Sequence, residues 1–187
     1  MSEALRRYDT AHGSVVLRPE TASDEPFLFA LLDSHAGQRL RDSGLPAAAV
    51  EPLMRMQFQA QTRTYQSAYP RAVFSIIEAG GAPIGRLIEE DEGERVYFVD
   101  FALLPERRAR GLGTAFIEMV ADEWGRRGRA ARVEVRPDNI GSLRLCEKLG
   151  FVRIGEHNGH INLLRPIPGQ HGGEGASRQT LNTDSDT

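Results

Sequence analysis

The chain is predicted to fold as an α/β domain on one central sheet, and three observations point there. The apolar run Val96 to Leu104 has the length and character of a strand covered on both faces. It leads through a glycine turn, Gly111-Leu112-Gly113, into Thr114 to Arg127, where Leu112, Ala115, Phe116, Met119 and Val120 recur at helical spacing. Ala131 to Arg136 then alternates apolar and polar as a strand does. Strand, turn, helix and strand make a βαβ unit, whose two strands lie parallel and are joined by a right-handed crossover.

The remaining elements follow in order. After a polar lead, Ser14 to Arg18 is short, β-branched and closed by Pro19, which reads as a first strand. Thr21 to Asp24 offers N-caps for a helix over Glu25 to Leu32. Arg39 to Gly44 is polar, and Gly44-Leu45-Pro46 has the make-up of a connector. Pro52 suits a first helical turn, and Leu53, Met56 and Ala60, with Phe58 and Tyr65, place a helix over Ala47 to Tyr65. Val73 to Glu78 and Ile84 to Glu90 flank the turn Ala79-Gly80-Gly81-Ala82-Pro83, so they should form a hairpin. Asp91 to Glu94 turns the chain into the long apolar strand, and Gly128 closes the helix beyond it. Pro137-Asp138-Asn139 caps a helix over Ile140 to Leu149, with Ile140, Leu143, Cys146 and Leu149 on one face. Gly150 suits a left-handed C-cap, and Phe151 beyond it can pack back on that helix. Phe151 to Gly155 and His160 to Leu164 read as closing strands. Residues 167–187 carry almost no apolar side chains and are expected to be a disordered tail, leaving 1–166 as a single domain.

Composition excludes several classes. A chain of 187 residues can bury a sizeable core without staples. A net charge of −3 argues against a general nucleic-acid binder. One cysteine, Cys146, allows neither an intrachain disulfide nor a multi-cysteine zinc site, and fits a reducing compartment; no metal is expected. Met1 to Thr10 has no apolar core of a leader, and no run approaches the about 18 apolar residues of a spanning helix, so the expectation is a cytoplasmic protein without a membrane partner.

The stretch with most chemistry in it is Arg108-Ala109-Arg110-Gly111-Leu112-Gly113. Two residues without Cβ let the backbone bend and approach a ligand closely. The helix that follows points free N–H groups and its positive dipole end at the same place, so an anion is the natural occupant. Downstream stands Asn139-x-x-Ser142-x-x-Leu145-Cys146-Glu147-Lys148-Leu149-Gly150-Phe151. The two stretches, in this order, resemble the GNAT acetyltransferase superfamily, whose signature pairs Arg/Gln-x-x-Gly-x-Gly/Ala with a helix ending in Glu-Lys-Leu-Gly-Phe. The resemblance covers Val73 to Leu164 well and the N-terminal third by element order alone.

That resemblance implies a three-layer acyl-coenzyme A N-acyltransferase fold: a mixed, largely antiparallel twisted sheet with helices on both faces and a β-bulge that splays it beside the coenzyme. It implies an N-acetyltransferase that moves an acetyl group from the cosubstrate acetyl-CoA to a primary amine, by direct transfer in a ternary complex. A non-catalytic acyl-CoA sensor or interaction module on the same fold is the alternative, and a homodimer is compatible with either. By the same resemblance the backbone of Arg108, Ala109, Arg110, Gly111, Leu112, Gly113 and Thr114 holds the pyrophosphate. Ala102, Leu103 and Leu104 meet the pantetheine arm, with Leu104 N–H polarising the acetyl carbonyl, and Asn139 and Ser142 add coenzyme contacts. Arg126, Arg127 and Arg129 stand as candidates for the outlying phosphate, or as a solvated helix end.

The chemical step has two candidate groups. Asp100 is the one charge in an apolar run, which is costly unless it is paired or faces a cavity; it serves as a base, directly or through water, or it makes a structural salt bridge. Cys146 stands where many members of the superfamily carry the tyrosine that protonates the leaving thiolate. A thiol of ordinary pKa about 8.5 has the right basicity for that, while a free cysteine on an apolar face more often packs as a small hydrophobe, leaving the proton to water. Glu89, Glu90 and Glu134 are candidate seats for a cationic amine, or surface carboxylates. His157 and His160 stand near the acceptor end, and Phe58 and Tyr65 wall its pocket or pack the core.

Overall fold

The computed structural model describes residues 5–108 and 110–167. Residue 109 and the predicted tail, from 168 on, lie outside the described residues. The chain runs β1 (Arg6–Thr10), β2 (Gly13–Pro19), a 3-10 turn (Ala22–Asp24), α1 (Glu25–Leu32), a π turn (Asp33–Gly37), α2 (Gln38–Asp42) and α3 (Ala47–Ala68). It continues through β3 (Val73–Ala79), β4 (Ala82–Asp91), β5 (Arg95–Leu103), a 3-10 turn (Pro105–Arg107), α4 (Leu112–Arg126), β6 (Ala130–Val135), α5 (Ile140–Lys148), β7 (Val152–His157) and β8 (His160–Arg165). Eight strands form one sheet in the order β1-β2-β3-β4-β5-β6-β8-β7. β5 and β6 pair parallel, as the βαβ reading requires, and the other pairings are antiparallel.

Apolar spacing explains the packing of the core. Leu112, Phe116, Ile117, Val120 and Ala121 make one stripe of α4, all buried against Val15, Leu17, Ile77, Leu87, Val96 and Phe98 of the sheet. Phe116 is 1% exposed, and burying such a ring is worth about 2–3 kcal/mol. α5 ends as expected: Gly150 has φ +77°, Phe151 N–H donates to Cys146 O at 2.9 Å, and Phe151 is buried beside Cys146 and Leu149. Ile140, expected on that buried face, is the first residue of α5 and is instead 51% exposed. A second, smaller core of Ala36, Val50 and Met54 joins the π turn to α3.

Two elements differ from the sequence expectation. β1 replaces the polar lead: Tyr8 is its one buried side chain, so its alternation is too thin to register as a strand. The polar stretch after Leu32 stays helical through the π turn and α2 to Asp42, because Leu40 and Ala36 still reach the second core.

The sheet opens beside β5. Ile88 pairs with Asp100 and Glu89 with Phe98, which leaves Val99 as an extra residue, a β-bulge. β5 keeps its pairing with β6 from Arg95 through Phe98, after which β6 runs on with β8 alone. From Val99 to Leu103 the β6 side of β5 is therefore unpaired, which is the splay the resemblance implied. Among the described residues no helix is long and apolar enough to cross a membrane.

Candidate active site

A cavity of about 680 Å3 occupies that opening. Its floor is Asp100, Phe101, Ala102 and Leu103 of β5. Gly111, Gly113 and Thr114 of the α4 N-terminus form one side, and Asn139, Gly141, Ser142 and Leu145 of α5 the other. α1, the π turn, α2 and α3 close it with Leu28, Leu31, Leu32, His35, Arg39 and Gln61.

The glycine turn has the geometry of an anion cradle. Gly111 caps α4 at φ +81°, a backbone that residues with a Cβ rarely adopt. A Cβ on Gly113 would lie 2.8 Å from Leu103 Cδ1, so this glycine lets the helix start close to β5. α4 begins two residues earlier than its periodicity suggested, and its first internal bond is Ala115 N–H to Gly111 O. Among the described residues, Leu112, Gly113 and Thr114 N–H are without helical partners at the positive end of a 15-residue helix. Among the charged groups lining the cavity, Arg39, Arg86 and Arg108 stand against one carboxylate, Asp100, an excess of positive charge that suits an anionic ligand.

The backbone of β5 divides by the period of two. Leu104 N–H donates to Ile84 O at 2.9 Å, so it faces β4, and the role expected for it in polarising a carbonyl is closed. Leu103 O faces the other way and accepts from Arg108 Nε at 2.9 Å. Alternation then places Leu103 and Phe101 N–H on the open side of the strand. Ala102 and Leu103 line the cavity, and Leu104 is not in its lining.

Asp100 is paired. Its Oδ2 accepts from Arg86 Nε at 3.0 Å and Nη2 at 2.5 Å, and Arg86 in turn lies 5.3 Å from the Tyr65 ring centre. Burial, then the Asp100 charge, pushes the Tyr65 hydroxyl up to about 12. Cys146 is buried among Leu149, Phe151 and Leu163 rather than in the cavity lining, and burial pushes its thiol up to about 11. Asn139 Oδ1 accepts from Ser142 N–H at 3.2 Å, so its carbonyl caps α5 while both residues line the cavity.

Several candidates lie elsewhere. Arg126, Arg127 and Arg129 stand at the far end of α4, about 20 Å from the cradle at 1.5 Å per residue. Arg127 pairs with Glu123 and lies over Trp124, and Arg129 pairs with Asp91. Glu89, 1% exposed, accepts from Arg6 and from Trp124 Nε1 at 2.6 Å; Glu90 is beside Arg71, and Glu134 pairs with Arg132. His157 and His160 sit on the β7–β8 hairpin, outside the cavity lining. Phe58 packs edge-on against Phe29.

Sequence reasoning passed over His35, Arg39, Gln61 and Arg86. Arg86 had a signal: it is the lone charge in the apolar run Ile84 to Ile88, as Asp100 is in its own strand, and lone charges on neighbouring strands suggest a pair. His35 had none, since it depends on the π turn. Burial, then the neighbouring Arg108 guanidinium, holds its imidazole below the ordinary value, with the Leu103 carbonyl opposing them. Arg108 Nη2 lies 2.7 Å from His35 Nδ1 and also contacts Nε2. Among the described residues no group of three or more His, Cys, Asp or Glu is placed to hold a metal ion.

The sequence model of the acetyltransferase (GNAT) family matches residues 45–151. No curated protein matches the chain in sequence. Similar solved structures include the PaiA N-acetyltransferase from Thermoplasma acidophilum in complex with coenzyme A, 13% identical at TM-score 0.61, covering 81% of this chain and 98% of that one. The ribosomal L7/L12 alpha-N-protein acetyltransferase RimL in complex with coenzyme A is 19% identical at TM-score 0.58, covering 88% and 98%. The Escherichia coli ribosomal-protein-S18-alanine N-acetyltransferase is 19% identical at TM-score 0.55, covering 86% and 97%.

Proposed function

We propose that this chain, which belongs to the acetyltransferase (GNAT) family, transfers an acetyl group from acetyl-CoA to a primary amine within a ternary complex, using residues 1–166 as its one domain. The observation that carries this reading is the conjunction, in one cavity, of a helix N-terminus with three N–H groups that no described residue accepts, a splayed strand edge and an excess of guanidinium groups. A diphosphate fits the first, an amide-bearing arm the second, and the polyanion as a whole the third.

In this reading Leu112, Gly113 and Thr114 N–H, with Arg108 and Arg110, hold the diphosphate, and Ala109 belongs to the same turn. Phe101 and Leu103 N–H on the open edge of β5 offer donors to the arm and to the oxygen that becomes negative as the amine adds. Asn139 and Ser142 flank the arm from α5. Asp100, its charge balanced by Arg86, orients the acceptor ammonium through Oδ1, which no described residue hydrogen-bonds. The acceptor enters between Leu28, Leu31 and Leu32 on one side and Gln61 on the other. Cys146 packs as a small hydrophobe, and water returns the proton to the departing thiolate.

The test is thiol release from acetyl-CoA across a panel of free amino acids, a polyamine, an aminoglycoside and a peptide with a free N-terminus. Amine-dependent release with one class is the expected result. Coenzyme binding by calorimetry without release for any amine would favour a sensor, and no binding would overturn the reading.

A further inference from the structure

We propose that coenzyme binding converts His35 into the proton acceptor for the incoming amine, by drawing Arg108 off its ring. The inference deepens the acetyltransferase reading and rests on it.

Placement comes first. His35 stands on the π turn Asp33–Gly37, a wide turn of a kind that recurs at functional sites. The turn is clamped by Asp33, whose carboxylate pairs with Arg41 at 3.0 Å, and a Cβ on Gly37 would overlap that carboxylate. So fixed, the half-buried imidazole faces the cavity, beside the open edge of β5.

Its hydrogen bonds come next. Arg108 Nη2 lies against both ring nitrogens, and a guanidinium has donors and no acceptor, so the ring is neutral and presents its lone pair to Arg108. Arg108 Nε donates at the same time to Leu103 O at 2.9 Å, which holds the guanidinium against the ring. That lone pair is thus covered, and as it stands the base is capped. Arg108 is also the first residue of the phosphate cradle. A guanidinium binds a phosphate by two charge-assisted hydrogen bonds, stronger than its bond to a neutral imidazole. Phosphate therefore takes Arg108 from His35 and frees that lone pair.

The charges around the ring set its basicity. Arg108 from the cradle and Arg39 from α2 oppose protonation, and Asp100 from β5 favours it; on its own turn, Asp33 is tied to Arg41. Removing Arg108 takes away the nearest opposing charge. The other titratable groups serve less well: Asp100 is held by Arg86, and Cys146 is buried outside the lining. One proton of the acceptor ammonium passes to His35 and on to solvent. The freed amine forms its C–N bond as the C–S bond breaks, and the second proton leaves nitrogen for the coenzyme sulfur through water. The amine is then activated only after the coenzyme is in place.

The experiment is an NMR titration of the His35 imidazole over about pH 5–8, assigned with His35→Gln, on protein alone and on protein saturated with coenzyme A as checked by calorimetry. The midpoint should rise when coenzyme A binds. In Arg108→Gln the free protein should already titrate higher, and coenzyme A should add little. Arg108 is exposed and outside both cores, so this variant should fold, and Arg108→Lys supplies a second one. Coenzyme A bound with the midpoint unmoved, or an equal rise in Arg108→Gln, would overturn the inference while leaving the acetyltransferase reading intact. Failure to bind coenzyme A would overturn both. In acetyl transfer, His35→Gln should lower kcat about 100-fold and abolish the loss of rate toward acid pH; an unchanged acid limb would also refute the role.

Discussion

Gly111 and Asp100 show how much a single residue decides here. At φ +81° a side chain on Gly111 costs about 1–2 kcal/mol of backbone strain. The built Cβ would lie 2.5 Å from His12 Nε2, yet His12 is exposed and can swing away, so the lasting costs are strain and, in Gly111→Asp, charge. That variant should lose at least about tenfold in coenzyme A affinity, equivalent to about 1.4 kcal/mol; unchanged affinity by calorimetry would remove the cradle assignment. Asp100→Asn leaves Arg86 buried with a neutral partner. Side-chain exposures of 23% for Asp100 and 11% for Arg86 place the loss below that of a fully buried pair, on the order of 2 kcal/mol by denaturant unfolding. Because Asp100 contacts the acceptor in the proposed site, the same variant should raise the acceptor KM and leave coenzyme A affinity unchanged. A changed coenzyme affinity would place Asp100 on the donor side instead.

At the scale of elements, β1 is tied to the rest of the molecule by a buried charge. Arg6 reaches Glu89 of β4, which Trp124 of α4 also bonds, while Tyr8 OH donates to Glu123. Arg6→Ala would strand a carboxylate that is 1% exposed, and should cost about 3 kcal/mol. Arg6→Ala/Glu89→Gln should regain most of that loss, because a neutral amide is cheaper to bury. If the double variant is no more stable than the single one, packing of the Arg6 stem holds β1 and the charge does not. Periodicity found the elements with wide apolar faces, such as α4 and the β3–β4 hairpin. It missed β1, with one buried residue, and the π turn and α2, whose few apolar side chains serve a small satellite core.

For the whole molecule, a ligand that binds the folded state alone stabilises it by mass action. Coenzyme A at 100 times its Kd should add about 2.7 kcal/mol, a rise in Tm of about 5–10 °C for a chain of this size. No rise at that concentration would count against the cavity as the coenzyme site. The sequence by itself determined the order of strands and helices from Val73 onward, the parallel β5–β6 pair and the glycine turn at Gly111. These are local matters of apolar spacing, backbone freedom and caps, which neighbouring residues settle between them. The tertiary structure decided which side chains share the cavity. It brought His35 to Arg108 across 73 positions, paired Asp100 with Arg86, turned Leu104 N–H toward β4 and sent Glu89 into the core. Contacts between distant residues depend on sheet register, on a bulge at Val99 and on one π turn, and no local pattern carries that information.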